Sequence, residues 1–139
     1  MKTRIAKILL PLAVAGCGVF AVASPAHAAV ATCNNKVNIS KGSLYATYPA
    51  YNSTGTCVMG KGNSGVAVKT LQGALNSCYH SGLVADGIFG DKTVKALKAA
   101  QNAAGVDDDG VYGPTTAGAI KFPYKYDSTG GPAGCQSRY

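Results

Sequence analysis

The pentapeptide Asp-Gly-Ile-Phe-Gly at residues 86–90 returns as Asp-Gly-Val-Tyr-Gly at residues 109–113, and no other feature limits the possible folds as strongly. The copies lie 23 residues apart, which is room for one short helix and one turn per copy. In each copy, Asp-Gly predicts a turn whose glycine takes a backbone conformation that side chains disfavour. The apolar pair that follows is expected to pin the loop to a core, with Phe89 and Tyr112 buried. The chain therefore uses one structural device twice, each time at the start of a helix.

The first 28 residues predict a secretory signal peptide that is removed after Ala28. Three basic residues precede an apolar run over residues 8–23, and Ala-His-Ala at residues 26–28 offers a cleavage site. The apolar run is shorter than the ~20 residues that span a bilayer, so we expect no membrane anchor. The predicted location is therefore secreted and extracellular. One alternative stays open, because residues 14–17 resemble a bacterial lipoprotein cleavage box that would leave a lipidated Cys17.

The rest of the chain is mildly basic. Without the predicted signal, 111 of the 139 residues remain, which is enough for one domain with a modest core. Ten Lys and Arg stand against six Asp and no Glu, a net charge of +4. The basic residues are dispersed and form no run typical of a nucleic-acid-binding arm, so we expect no nucleic-acid partner and a monomer. A polyanionic cell wall would attract such a chain as well as DNA would.

Four cysteines follow the predicted signal, and an even number in an exported small domain predicts two disulfides. Three connectivities are possible. A helix over residues 65–79 would place its ends ~20 Å apart, which makes a bond between Cys57 and Cys78 awkward. We favour Cys33 with Cys57 and Cys78 with Cys135, which would staple two irregular ends onto the centre.

Apolar residues recur at helical spacing in three segments. The first forms one stripe over residues 68–78, and the second runs over residues 91–104 with Gly105 as a stop signal. The third follows Pro114 and ends before Pro123. We therefore predict a mainly α fold, a small three-helix bundle with irregular disulfide-stapled N- and C-terminal segments. The predicted divisions are a signal peptide (1–28), an irregular N-terminal segment of extended strands and turns (29–58), a helical domain (59–122) and a turn-like C-terminal tail (123–139).

Several motifs of the helical domain occur in a fixed order. A glycine-rich lead-in at residues 62–65 precedes Leu71-Gln72, and the first Asp-Gly loop, Gln101 and the second loop follow. This ordered set resembles the peptidoglycan-binding domain of bacterial wall hydrolases, although Ala100 stands where that family commonly has an aromatic residue. The resemblance implies a three-helix bundle that attaches non-covalently to bacterial peptidoglycan, through its glycan or its stem peptide. It also implies that the secreted protein is extracellular or associated with the cell wall.

The residues after the signal supply few catalytic groups. His80 is the one histidine, glutamate is absent, and no thiol is expected to be free. A zinc hydrolase needs three protein ligands, and a lysozyme-like mechanism needs a carboxylic acid in an apolar pocket. Most aspartates here lie in turns or at helix starts, and residues 107–110 lack the alternating acids and final glutamate of an EF-hand loop. We therefore predict that the protein is not an enzyme and has no metal site and no cofactor.

The ligand groove is expected beside the Asp-Gly loops, where glycines leave backbone amides accessible. The candidate ligand-binding residues are Asp86, Gly87, Asp109, Gly110 and, as an apolar platform, Tyr79. The same residues suit turn formation and helix capping, and for the glycines that structural role is the stronger interpretation. A second function also stays open: a secreted, disulfide-stapled protein ligand such as an enzyme inhibitor or signalling factor, because small tyrosine-rich domains suit protein recognition too.

Overall fold

A computed structural model describes residues 29–139, so the predicted signal peptide and Cys17 lie outside the described residues. Seven elements follow one another: β1 (Asn35–Lys41), β2 (Leu44–Ala50), α1 (Val66–Tyr79), α2 (Asp91–Ala103), α3 (Pro114–Ala119), β3 (Phe122–Tyr126) and β4 (Pro132–Gln136). The three helices lie where their apolar stripes and stop signals predicted them. No helix within residues 29–139 combines the length and the apolar character that a membrane crossing requires.

The predicted mainly α fold, a three-helix bundle with irregular terminal segments, is wrong. The two flanking segments pair into one four-stranded antiparallel sheet in the order β1-β2-β3-β4. β2 joins β3 through the pairs Leu44 with Tyr126 and Ala46 with Tyr124, which come from opposite sides of the helical segment. The C-terminal tail is therefore two strands and not a run of turns. Backbone N–H and C=O groups that leave water need hydrogen-bond partners, and each flank supplies the partners of the other.

Sheet and helices share one core, with aromatic residues where they meet. The rings of Tyr48 in β2 and Phe122 in β3 have centroids 4.1 Å apart, and Tyr112 meets Phe122 edge-on at 6.4 Å. The hydroxyls of Tyr48 and Tyr124 lie 3.1 Å apart. These spacings lie near the range in which aromatic pairs attract beyond simple area burial. The sheet thus completes the core of the helices and does not merely cover it.

The two disulfides confirm the favoured pairing. Cys33 is bonded to Cys57, which ties the approach to β1 to the chain that follows β2. Cys78 near the end of α1 is bonded to Cys135 in β4 across 57 residues of sequence. The second bond therefore fixes the longest helix to the sheet edge.

A buried glutamine holds each Asp-Gly loop. The Nε2 atom of Gln101 in α2 lies 2.9 Å from Asp109 Oδ1, 3.0 Å from the Val111 carbonyl oxygen and 3.0 Å from Thr116 Oγ1. Its Oε1 accepts the backbone N–H of Gly110 at 2.9 Å. Gln72 of α1 repeats this arrangement in the first loop, where its partners are Asp86, Ile88, Thr93 and Gly87. The repeat in the sequence is thus a repeated buried hydrogen-bond network.

The segment 59–65, which ends in the glycine-rich lead-in before α1, pairs with both loops. The backbone of Met59 exchanges two hydrogen bonds with Tyr112, at 2.9 and 2.8 Å. Further along, the N–H of Gly65 donates to the Gly87 carbonyl oxygen at 2.8 Å, and that of Phe89 donates to the Asn63 carbonyl oxygen at 3.0 Å. One short segment therefore sets the position of both loops.

Only one residue of each apolar pair reaches the core. Phe89 and Tyr112 are 1% and 0% exposed, as predicted, whereas Ile88 and Val111 are 59% and 39% exposed. The prediction that the whole pair pins the loop is therefore half wrong, because successive side chains in an extended segment point to opposite sides. The outward residues remain available at the surface.

Replacing Phe89 by alanine is expected to lower the free energy of unfolding by ~3 to 5 kcal/mol, because it removes a buried aromatic ring and leaves a cavity. Denaturant titration of the purified protein measures this loss. The matched control is Ile88→Ala, which removes the exposed neighbour and should cost less than ~0.5 kcal/mol. Equal costs for the two substitutions would contradict the pinning role of Phe89.

Replacing Gln101 by leucine is expected to lower the free energy of unfolding by ~1 to 3 kcal/mol, because the buried N–H of Gly110 would lose its acceptor. Leucine has nearly the same volume, so lost packing contributes little. The control Asn102→Leu alters the next, exposed position of the same helix. Thermal melts of both variants decide the point, and a melting temperature for Gln101→Leu no lower than that of the control would refute the network's importance.

Candidate functional site

The aspartates of the two loops make the same contacts. Oδ1 of Asp86 accepts the backbone N–H of Ile88 at 2.8 Å, and Oδ1 of Asp109 accepts that of Val111 at 2.8 Å. These backbone bonds, followed by the bonds from the two glutamines, hold the pKa of both carboxyls below the usual value of an aspartate. Both side chains are exposed and carry a negative charge at neutral pH. Their Oδ2 atoms make no hydrogen bond within residues 29–139, so each loop presents one carboxylate oxygen outward.

The two glycines serve the loop backbone. Gly87 and Gly110 have φ angles of +78° and +74°, the left-handed conformation that their sequence position predicted. Both are buried, and their N–H groups donate to the glutamine side chains. A Cβ would lie 3.0 Å from the Gly65 carbonyl oxygen in the first loop and 2.9 Å from Val94 Cγ1 in the second. The expected accessible amides are thus occupied, and ligand contact by these glycines remains a prediction.

Tyr79 lies apart from both loops. It ends α1, and its hydroxyl accepts the backbone N–H of Lys121 at 2.7 Å, just before β3. Its ring is partly buried against the core. A shallow hollow lies beside each of the two loops, and Tyr79 lines neither of them. The structure therefore brings Asp86 and Asp109 to equivalent positions but does not add Tyr79 to either of them.

A shallow hollow lies beside each loop. The first has a volume of about 280 Å³ and is lined by Asp86 together with the exposed apolar residues Val84 and Ile88. The second, of about 190 Å³, is lined by Asp109 and Val111. Both are smaller than the ~300 to 1,000 Å³ of typical small-molecule pockets. Open hollows of this size suit contact with part of a larger molecule.

A larger groove, of about 460 Å³, lies between α1 and the sheet. Lys36 of β1, Tyr45 and Thr47 of β2 and Lys125 of β3 line one side, and Lys69 of α1 lies on the other. Sequence reasoning missed this groove because its residues come from four elements that meet only in the folded chain. The one available signal was the polar alternation of Tyr45 and Thr47 in a segment predicted to be extended.

The described residues hold few groups for catalysis. Within residues 29–139, no three or more His, Cys, Asp or Glu side chains cluster in a way that could hold a metal ion. The cysteines at 33, 57, 78 and 135 are all in disulfides. His80 is exposed and follows the last residue of α1 as its C-cap, in a left-handed conformation with φ 53°. The groups that the site presents are carboxylates, hydroxyls, lysines and small apolar surfaces.

The sequence of the central segment has relatives among cell-wall enzymes. It is 43% identical over 77 residues to the N-acetylmuramoyl-L-alanine amidase CwlL of Bacillus licheniformis and 41% identical over 70 residues to a probable N-acetylmuramoyl-L-alanine amidase of the same species. These alignments cover 54% and 49% of this chain but only 21% and 20% of the relatives. The chain thus spans about a fifth of the length of these two amidases.

Two further similarities cover about half of the chain. An uncharacterized protein in the bpoA1 3'region of Kitasatospora aureofaciens is 36% identical over 78 residues, which is 55% of this chain and 66% of that protein. The crystal structure of a peptidoglycan-binding protein from Clostridioides difficile, in complex with glutamine hydroxamate, is 34% identical over 53% of this chain and 48% of its own, with a TM-score of 0.44.

Residues 64–120 match the model of the family described as "Putative peptidoglycan binding domain". The matched range contains all three helices, both glutamines and both Asp-Gly loops. The resemblance that the ordered motifs indicated is therefore confirmed, and the same segment is homologous to parts of cell-wall amidases. Residues 64–120 of this chain belong to the peptidoglycan-binding domain family.

Proposed function

We propose that this protein is secreted and binds bacterial cell-wall peptidoglycan without catalysing a reaction. The observation that carries the proposal is the family membership of residues 64–120, together with two complete glutamine-loop networks that hold the domain in shape. The two disulfides support a location outside the cytoplasm, where such bonds persist. A peptidoglycan-binding domain in that compartment would meet its ligand directly.

The shared segment supports binding and not hydrolysis. The family that it belongs to is described as a binding domain, and it corresponds to about a fifth of each amidase. The reaction in the names of those relatives is therefore not transferred to this chain. Function must be argued from the groups that a site presents, and those here are suited to non-covalent contact.

The loop hollows are one proposed contact surface. Peptidoglycan consists of sugars and short peptides, which offer hydroxyls and amides as hydrogen-bond donors and methyl groups as apolar surface. Oδ2 of Asp86 or Asp109 can accept such a donor, while Ile88 and Val111 cover a methyl group beside it. Gly87 and Gly110 would then shape the surface through their backbone. Tyr79, which lines neither hollow, would be a separate apolar contact at the end of α1.

The mature protein, beginning at Ala29, is expected to sediment with purified insoluble peptidoglycan, and soluble muropeptides should compete it away. The supernatant should contain no newly released muropeptides, since no cleavage is proposed. Bovine serum albumin is the non-binding control. Failure to sediment at physiological salt would overturn the proposal and favour the second candidate, a secreted ligand of another protein.

The double substitution Asp86→Asn and Asp109→Asn is expected to weaken sedimentation several-fold if the loop hollows contact the wall. Asparagine keeps an oxygen that can accept the Ile88 and Val111 N–H groups, so the melting temperature should change little. Asp127→Asn is the control, because it removes an exposed charge in the turn between β3 and β4. Unchanged wall binding by the folded double variant would exclude the two carboxylates as contacts.

A further inference from the structure

The groove between α1 and the sheet has two built walls. The helix wall consists of α1 residues at helical spacing, from Val66 to Ser77. These two end residues are 11 positions apart, which corresponds to ~16 Å along the helix axis. The sheet wall places Tyr45 and Thr47 of β2 between Lys36 of β1 and a lysine of β3. A span of ~16 Å accommodates about five residues of an extended peptide at ~3.3 Å each.

The groove concentrates unpaired positive charge. Lys36, Lys69 and Lys125 line it from three different elements, and none of the six aspartates does. In the described part of the chain, the one salt bridge joins Lys61 to Asp91, so no carboxylate neutralises the three lysines. Like charges that line one groove repel one another and raise the local concentration of anions. An anionic ligand would relieve that repulsion.

A glycine in α1 keeps the groove open. Gly73 lies in the middle of the helix, where glycine is less stable than alanine because it loses more backbone entropy on folding. A Cβ at this position would meet no heavy atom within 4 Å, so packing does not require a glycine. Its φ angle is not positive, so backbone conformation does not require one either. The missing side chain instead leaves the helix backbone open to a ligand in the groove.

We propose that this groove binds the stem peptide of peptidoglycan in an extended conformation, with Lys36, Lys69 and Lys125 paired to its carboxylates. The inference rests on the proposed function and assigns the recognised part of the polymer. Sugar hydroxyls and acetamido groups carry no charge, so a cluster of lysines favours the peptide over the glycan backbone. Val66 and Pro123 add apolar surface to the groove. Small peptide side chains such as methyl groups would cover this surface, whereas a phosphate polymer would leave it exposed.

Half of the residues that line the groove lie outside the family domain. Of its lining residues, those on the strands lie outside residues 64–120, and only the α1 wall lies within that range. The disulfide between Cys78 and Cys135 holds α1 beside the sheet next to Ser77. The flanking segments thereby supply a second wall and its charge, which gives them a role beyond closing the core.

The triple substitution Lys36→Gln, Lys69→Gln and Lys125→Gln tests the charge assignment. Isothermal titration with a sugar-free stem peptide should show affinity reduced roughly tenfold or more, since each exposed charge pair contributes a factor of about two to five. The matched control is Lys41→Gln, Lys95→Gln and Lys121→Gln. It removes the same charge from exposed residues that line neither the groove nor either loop hollow. It should lose less than about twofold at physiological salt, where separated charges are screened. Equal losses for the two triples would overturn the assignment.

The substitution Gly73→Gln tests the groove without changing its charge. Glutamine favours the helix, so the melting temperature should stay equal or rise, while its side chain occupies the groove and binding of the stem peptide falls at least tenfold. Ala99→Gln on α2 is the control, because it adds the same side chain on an exposed helix surface. Full binding by the folded Gly73→Gln protein would refute the proposal.

The occupant is tested with two wall preparations. Peptidoglycan from which phosphate polymers have been stripped should bind the wild-type protein as well as the intact wall does, and glycan strands without peptides should not bind it. If binding is lost when the phosphate polymers are stripped, these polymers and not the stem peptide occupy the groove, and the proposal is overturned. If the protein binds neither wall, the proposed function fails, and titration of the free stem peptide still tests the groove. If the wild-type protein binds the stripped wall and the two triple variants bind the stem peptide equally well, only the groove assignment fails.

Discussion

The need to pair a buried amide is the constraint on which the rest of this structure depends. Gln72 and Gln101 are 2% and 0% exposed, and leaving a buried amide unpaired costs ~1 to 3 kcal/mol. The Asp-Gly turn and the threonine that follows each loop offer partners to both ends of the glutamine side chain. Loop and helix are thereby held in one relative position, and Phe89 and Tyr112 enter the core as a result.

The flanking segments change what the helical domain can present. They complete the core through Tyr48 and Phe122, and two disulfides fix them to the domain. The pairing of β2 with β3 closes the core. It also places Tyr45, Thr47 and Lys125 in the groove that α1 lines from the other side. Stability and a new surface therefore come from one arrangement, because alternate residues of a strand face opposite sides.

Two proposed surfaces of opposite charge follow from this arrangement. The loop hollows present carboxylate oxygens beside apolar residues, whereas the groove presents lysines beside hydroxyls. A polymer that offers both donors and carboxylates can engage each of them weakly at the same time. Several weak contacts on one polymer raise the overall affinity, because each contact increases the effective concentration for the next.

The sequence alone determined the features that depend on neighbours along the chain. Helical periodicity and stop signals defined α1, α2 and α3, and turn chemistry identified the left-handed glycines Gly87 and Gly110. Gln72 and Gln101 stood in the motif order, yet their bonding was not deduced, although a threonine after each loop was a signal. The sheet and the lysine groove were decided only by tertiary structure. Their residues meet across the whole helical segment, and no local periodicity records a hydrogen bond or a charge cluster formed between distant parts of a chain.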